Sequence, residues 1–493
     1  MRRGLLILLA GCCLLLGACS QPAPDSIRFG IASRAANLDP RYATDATSAR
    51  INRLLYRRLV DFDAHQRPVP DLADWQRFSP THYRFTLGTT GRRFHDGSRL
   101  TAADVKATYD YILDPANGSP HRGSLSLINS IAAPDSEHID FYLSRPDPLF
   151  PGYLVIGILP RALIEHKTDI QAHPVGSGAL RFVRRPDAAR LTLERLADHQ
   201  LIDIIQVKDP TVRVLKLQRG ELDLIQNDLP AELIGYLNQQ PGIRVAQHPG
   251  SNFSYIGFNM QTEPTRDHTI REAIGLAIDR EAIIHFLLDD AARKAGGLLP
   301  PEHWAGNPAL QGLPHDPERA RQLLAKRGYD AQHPLRLEYK TSSDPLRIRI
   351  ATVIQDQLKR VGIDVAVKTY DWGTFYGDIK TGRFQMYSLS WVGIKTPDIF
   401  RYVFYSASVP PAGANRGRYN NPQADRLIET AERSSSLEAQ AAGYRKLAAL
   451  LARDLPYIPL WYEDNIAALR DDIVGYDLAE DGNYDGLQRV TRQ

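Results

Sequence analysis

Residues able to do chemistry are plentiful in this 493-residue chain, but they do not gather. The pair His95-Asp96 has the right types for a metal site or an acid–base couple. It stands, however, in Arg93–Leu113, RFHDGSRLTAADVKATYDYIL, where Asp96-Gly97 is turn chemistry and Thr101 with Asp104 opens a helix as a capping box. No GxSxG elbow, HExxH helix or cysteine ligand cluster is present, and the fourteen histidines are dispersed. His173–Leu180, HPVGSGAL, lacks the Gly-Lys-Ser/Thr of a phosphate loop and the second half of GxGxxG. Acid pairs such as Asp471-Asp472 read as solvated surface. The chain is therefore expected to bind rather than to catalyse, with no cofactor and no metal.

The richest binding stretch is Met386–Ile394, MYSLSWVGI, which reads as a strand ending at Gly393. Tyr387, Leu389 and Trp391 share one of its faces, and in open α/β sheets ligands collect outside the carboxyl ends of strands. Burial tendency alone would put Trp391 in the core.

The elements that must position such a site alternate between strand and helix along the whole chain, which predicts α/β sheets covered by helices. Ser26–Ala32 alternates apolar and polar residues as a half-buried strand, and a helix lined by Ile51, Leu54, Leu55 and Leu59 is predicted to run to about Val60. Phe253–Phe258 reads as a central strand, and Thr269 with Glu272 as a capping box. Asp279 caps the next helix. Leu335–Tyr339, a helix over about 346–361 and Ile363–Val367 form a βαβ unit with a parallel crossover.

The length suits about three domains, and 43% hydrophobic with 24% charged residues is ordinary for globular proteins. A formal net charge of +3 falls to +1 without Arg2 and Arg3, so no nucleic-acid partner is expected. The first eighteen residues, basic and then apolar over Leu5–Leu16, read as a signal peptide. All three cysteines, Cys12, Cys13 and Cys19, lie in or just after it, so the exported body has no disulfide.

Four motifs occur in order that resemble those of substrate-binding proteins of peptide and nickel ABC transporters. They are the NLDP turn after the first strand, the FxDGxxLTAxDV pattern at Phe94–Val105, the NPVGTGPY-like run at His173–Leu180, and Phe253–Ile284, FSYIGFNMQTEPTRDHTIREAIGLAIDREAII. The PYIPLWY segment resembles that family's closing strand, and Leu16-Gly17-Ala18-Cys19 resembles a lipobox with Cys19 as the acylated residue.

The resemblance implies a two-lobed periplasmic-binding-protein-like α/β fold with mixed sheets, a hinged cleft and an extra N-terminal subdomain. It places a signal peptide at 1–18 and a lipid-anchored tether at 19–25. Lobe I comprises 26–63, 175–260 and 461–493, the subdomain 64–174, and lobe II 261–460, with hinges near Asn259–Gln261 and Pro459–Trp461. The function implied is a monomeric extracytoplasmic lipoprotein that captures an oligopeptide or dipeptide by hinge closure and delivers it to ABC permeases. The membrane is met only through the lipid anchor.

By the same resemblance the ligand-facing residues are Arg34, His121, Tyr387, Ser390, Trp391, Val392, Gly393 and Ile394. Where peptide-binding members carry an Asp that pairs with the peptide amine, this chain has Ile394, and Arg34 stands where some relatives have Glu. A buried ammonium facing Ile394 would be uncompensated. The alternatives are therefore a binding protein for an anionic or amine-free solute, a sensory receptor, or a secreted hydrolase.

Overall fold

The computed structural model describes residues 26–493, so the signal-like segment, Cys19 and the tether lie outside the described residues. β1 (Ser26–Ile31) leads through the NLDP turn to α1 (Ala46–Leu55), whose N-cap Asp45 accepts a hydrogen bond from the Ser48 N–H. The helix stops at Leu55 rather than at about Val60, and Tyr56 is extended. The reason lies 120 residues on in the chain. Gly178 N–H donates to the Leu55 carbonyl at 2.8 Å, and a Cβ added at Gly176 or Gly178 would lie 1.9 or 2.1 Å from the Leu55 or Leu54 carbonyl oxygen. The glycine run crosses the helix end at backbone contact and satisfies a carbonyl that the helix itself leaves orphaned.

A four-stranded antiparallel sheet follows: β2 (Ala73–Ser79), β3 (His82–Leu87), β4 (Ile128–Ala132) and β5 (His138–Leu143), in the order β2-β3-β5-β4. α2 (Ala102–Leu113) packs on it with the expected Thr101/Asp104 capping box, burying Val105, Thr108, Tyr109 and Ile112. Their shared core draws on residues from Leu59 to Ile158. His95 is engaged by backbone. Its Nδ1 accepts from Gly176 N–H at 3.3 Å and its Nε2 lies 3.1 Å from the Gly178 carbonyl, stapling the turn to the glycine crossing.

The strands of the large sheet that follow are β6 (Leu180–Asp187), β7 (Arg190–Arg195), β8 (Leu201–Gln206), β9 (Leu224–Gln226), β10 (Ile243–Phe258), β11 (Ala292–Lys294), β12 (Leu335–Ser342), β13 (Ile363–Tyr370), β14 (Met386–Trp391) and β15 (Tyr457–Arg470). With β1 they form one mixed sheet ordered β13-β12-β14-β10-β15-β9-β1-β8-β7-β6, with β11 added to β15. Among the lobe II helices are α3 (His268–Ala277), α4 (Arg280–Leu288), α5 (Pro345–Lys359), α6 (Ile399–Phe404), α7 (Pro422–Glu432) and α8 (Leu437–Asp454), with α5 making the crossover from β12 to its parallel neighbour β13. α3 is capped by Asp267, which accepts from the Thr269 N–H at 2.8 Å, and not by Thr269. Glu272 instead pairs with Arg319 at 3.1 Å. Asp, two residues earlier, is a strong N-cap, which leaves Thr269 inside the first turn.

The long strands β10 and β15 tie the lobes together. Ile243–His248 pairs with Asn465–Arg470 on the side where β15 meets β9 of lobe I. Phe253–Phe258 is sandwiched between β15 and β14 of lobe II. Between the two halves the pairing breaks at Pro249-Gly250-Ser251, between His248/Asn465 and Asn252/Glu463. A Cβ at Gly250 would come within 2.2 Å of the Glu463 carbonyl, so only glycine lets the strands approach there. Asn259–Gln261 lies beyond β10, and Pro459–Trp461 lies on the lobe II side of the break.

A candidate ligand site between the lobes

Two cavities open between the lobes. The larger, about 620 Å³, sits over the strand break and takes walls from both sides. Lobe I supplies Ala32 and Ser33 after β1, Arg50 of α1, Lys208, and the Asn227–Ala231 turn. Lobe II supplies Asp344 and Arg347 at the start of α5 together with Ser390 and Val392. Glu463 and Asp464 of β15 form the floor.

The floor is a continuous polar chain. Ser254 Oγ donates to Glu463 Oε1 at 2.8 Å, and the Ser390 hydroxyl, 2.6 Å away, is left to donate to Ser254. Arg347 Nη2 reaches the same Glu463 oxygen at 3.0 Å. Burial alone would raise the Glu463 pKa, but Arg347 and Ser254 outweigh it and hold the carboxyl below its ordinary value. Asp344 caps α5 by accepting from the Arg347 N–H at 3.0 Å, which fixes the backbone from which that guanidinium projects.

On the lobe I side Asn227 and Asp228 both adopt left-handed backbone conformations, φ +57° and +54°. Such strain persists only where the surroundings impose it. Fully buried Arg213 does so, donating to the Val207 carbonyl at 2.7 Å and to the Asn227 carbonyl at 3.3 Å. Asn227 also accepts from Ile466 N–H and donates to Asn465 Oδ1, both at 2.9 Å, which ties the turn to β15.

The smaller cavity, about 320 Å³, lies between α1, the subdomain and the loop after β14. Asn52, Arg53, Arg58, His121, Tyr153, Thr396 and Asp398 contribute its polar lining. The loop that separates the two cavities is pinned to lobe I by Lys395–Asp481 at 2.9 Å. A second bridge, Arg349–Glu232, joins α5 to the lobe I helix Ala231–Leu237.

The residues singled out from sequence divide accordingly. Ser390 and Val392 line the larger cavity and His121 the smaller. Tyr387 is fully buried within the lobe II core, its ring edge-on to Tyr255, and is no cleft residue. Trp391 packs on the same aromatic cluster with the Arg416 guanidinium 4.6 Å over its ring, and Ile394 packs beside it. The odd-numbered face of β14 meets α6–α8, while on the other face Met386 is buried in a core and Ser390, near the strand's end, meets the cavity together with Val392. Alternation separated the faces, but with helices on both sides of the sheet it could not say which one is covered. Gly393 has φ +69° and turns the chain out of the strand. Arg34 is exposed beside Arg185 over a crevice of about 20 Å³ and lines neither interlobe cavity, whereas its neighbours Ala32 and Ser33 line the larger one.

Sequence reasoning did not single out Arg50, Arg213, Asn227, Asp344, Arg347 or Glu463. The signal for Asp344 and Arg347 was present, since they follow the carboxyl end of β12 in the recognised βαβ unit. Among the described residues no cluster of three or more His, Cys, Asp or Glu could hold a metal, and no helix is long and apolar enough to cross a membrane.

Two lobes joined by a pair of strands and closing over a polar cavity define a solute-binding protein. The profile of bacterial extracellular solute-binding proteins, family 5, middle region, matches residues 67–410. The chain belongs to this family and acts as an extracytoplasmic solute-binding component of an ABC importer, not as an enzyme. It is 27% identical over 469 residues to the probable di/tripeptide-binding protein 5 of Pseudomonas aeruginosa, covering 88% of this chain and 89% of that one. It is also 27% identical to heme-binding protein A of Haemophilus influenzae, over 89% of this chain and 86% of that one. The fold matches the substrate-binding protein CtaP of Listeria monocytogenes with a TM-score of 0.85 at 22% identity, over 95% of this chain and 99% of that one.

Proposed function

We propose that this chain captures a dipeptide or short oligopeptide in the interlobe cavity and presents it to the permease subunits of its importer. The observation that carries the reading is the mixed charge of the 620 Å³ cavity. Arg50, Lys208 and Arg347 stand against Asp228, Asp344, Glu463 and Asp464, a pattern suited to a ligand with both charges and a main chain to hydrogen-bond. Ser390 and Val392 face the ligand in this reading, and the curated similarity to a di/tripeptide-binding protein supports it.

The lobes hinge where β10 and β15 lose register, at Pro249–Ser251 opposite Glu463–Asn465, and Lys395–Asp481 and Arg349–Glu232 favour the closed form. The mature protein is a monomer held to the membrane by acylated Cys19. Native mass spectrometry of the soluble form beginning at Ser20, followed by denaturation, tests the reading. Release of peptides of two to several residues is expected, and a single non-peptide species would overturn it.

A further inference from the structure

A third cavity, of about 350 Å³, lies away from the interlobe space, within lobe II. One wall is the face of α8 that carries Ala448, Leu451 and Ala452 and ends at the C-cap Leu455. An apolar stripe at that spacing is normally covered by a neighbouring element. Here the covering segment is the 296–313 loop, and it meets the stripe with Gly296, Gly297, Ala309 and Gly312. Small residues on both sides leave a gap, whose lining also includes the buried rings of Phe253, Phe400 and Phe404.

The fold holds this gap open. The loop doubles back in backbone contact, since a Cβ at Gly296 would lie 1.8 Å from the Leu310 carbonyl oxygen, and Gly312 takes φ +71°. Buried Arg280 ties two lining residues together by donating to the Leu313 carbonyl and, at 3.2 Å, to the Pro459 carbonyl. Tyr462 Oη donates to the Gly297 carbonyl at 2.6 Å.

The chemistry of the lining is opposite to that of the larger interlobe cavity, which presents charges of both signs. Among the described residues that line the lobe II cavity none is charged, and only Gln311 and Tyr457 have polar side chains. A charged molecule entering it would give up its hydration with no counter-charge in return, whereas an apolar one gives up nothing.

The cavity is also placed to act on the cleft. Asn252 lines the larger interlobe cavity and the next residue of β10, Phe253, lines this one. The walling loop carries His303, whose Nδ1 accepts from the Ala305 N–H at 3.0 Å, which leaves Nε2 to donate to the Lys395 carbonyl at 3.1 Å. Lys395 is the residue that pins the loop after β14 to Asp481 of lobe I. Trp304 N–H, next along, donates to the His65 carbonyl at 3.0 Å.

We propose that this cavity is a second binding site, for a small uncharged apolar molecule of about naphthyl size, and that its occupant steadies the loop that holds the Lys395 bridge. The site shares no ligand with the interlobe cavity, so it stands or falls independently of the peptide reading.

The test titrates the soluble form beginning at Ser20 with two fluorescent probes. One is N-phenyl-1-naphthylamine, which is neutral, and the other is 8-anilinonaphthalene-1-sulfonate, the same rings with a negative charge added. Wild type should bind the neutral probe about 10-fold more tightly than the sulfonate. Ala448→Phe fills the cavity from α8 and should weaken the neutral probe by about the same factor. Gly297→Val fills it from the loop, where an added Cβ meets only Leu310 Cδ1 at 3.5 Å, and should act alike, which separates filling from a folding fault in either variant. With the neutral probe bound, amides of 302–306 and 393–396 should exchange hydrogen more slowly in wild type and unchanged in Ala448→Phe. No binding of the neutral probe by wild type, equal binding of both probes, or binding that survives both variants overturns the site. Binding without slower exchange at 393–396 overturns the link to the bridge.

Discussion

The two interlobe cavities share a loop and little else. In the larger one several groups have partners inside the protein: Glu463 has Arg347 and Ser254, Asp344 has the start of α5, and Asn227 has β15, although Asp464 keeps one carboxylate oxygen unpartnered. Those pairs form a frame that holds the lobes in register before any ligand arrives, and the cavity still offers both charges to a ligand. In the smaller chamber Asn52, Arg58 and His121 each keep an unpartnered atom, and among the described residues no cation forms an ion pair with Asp398. Desolvated groups left this way cost stability until something pairs them. Substitutions in the frame should therefore read out in stability as well as in binding, and substitutions in the smaller chamber mainly in binding.

The largest effect should come from the element the chamber hangs on. Gly178→Ala drives a methyl into the Leu54 carbonyl and displaces the end of α1, which carries Asn52 and Arg53. A loss of about 3 kcal/mol is expected from overpacking against backbone that cannot yield, read by urea denaturation. An unchanged midpoint would mean the crossing is looser than its contacts imply.

Next comes the frame itself. Arg347→Ala leaves Glu463 at the cavity floor without its cation and should cost about 2 kcal/mol, discounted because both side chains are partly open to solvent. Glu463→Gln, which keeps the Ser254 contact, should cost less. If both variants melt like wild type but lose ligand, the division between frame and chamber collapses.

In the chamber, the empty protein should carry a pH signature of the opposite sign to that of Glu463. A carboxyl raised in the folded state favours folding below its unfolded pKa and loses that contribution as pH rises through the folded value. For Asp398 the window runs from about 4 to about 6, and the difference should reach roughly 2 kcal/mol. Comparing thermal melts of ligand-free wild type and Asp398→Asn across pH 4–7 isolates it from acids such as Asp61 and Asp140, whose depressed values act in the other direction. Asp398→Asn should be the more stable protein at pH 7, and a less stable one would show that the carboxylate is satisfied.

The smallest change should follow from Lys395→Ala, which removes a partly exposed bridge between the lobes. About 0.5 kcal/mol is expected, seen as a slight expansion of the ligand-free form by small-angle scattering and a few-fold weaker binding that vanishes at high salt.

Much of the architecture was legible locally. Capping boxes, Asx turns and period-two or 3.6-residue patterns act within a few residues, so α2, the βαβ unit and the strand before Asn259 could be read directly. The beginning of β10 could not, because Pro249 and Gly250 interrupt its pattern and the strand continues only through pairing with β15. The end of α1 could not either, since what stops it is Gly178, far along the chain.

The order of motifs, the scarcity of catalytic constellations and the placing of Ser390, Val392 and His121 near ligand-sized space came from sequence alone. Tertiary structure decided which face of β14 is covered, why Arg34 misses the cleft while Ala32 and Ser33 meet it, and how Arg347, Glu463 and Ser254, distant in sequence, become one polar chain. Above all it decided that Asp398 stands without a cation among the described residues. Whether a charge is compensated depends on every group within a few ångströms, whatever its place in the chain, and only the folded arrangement brings those groups together.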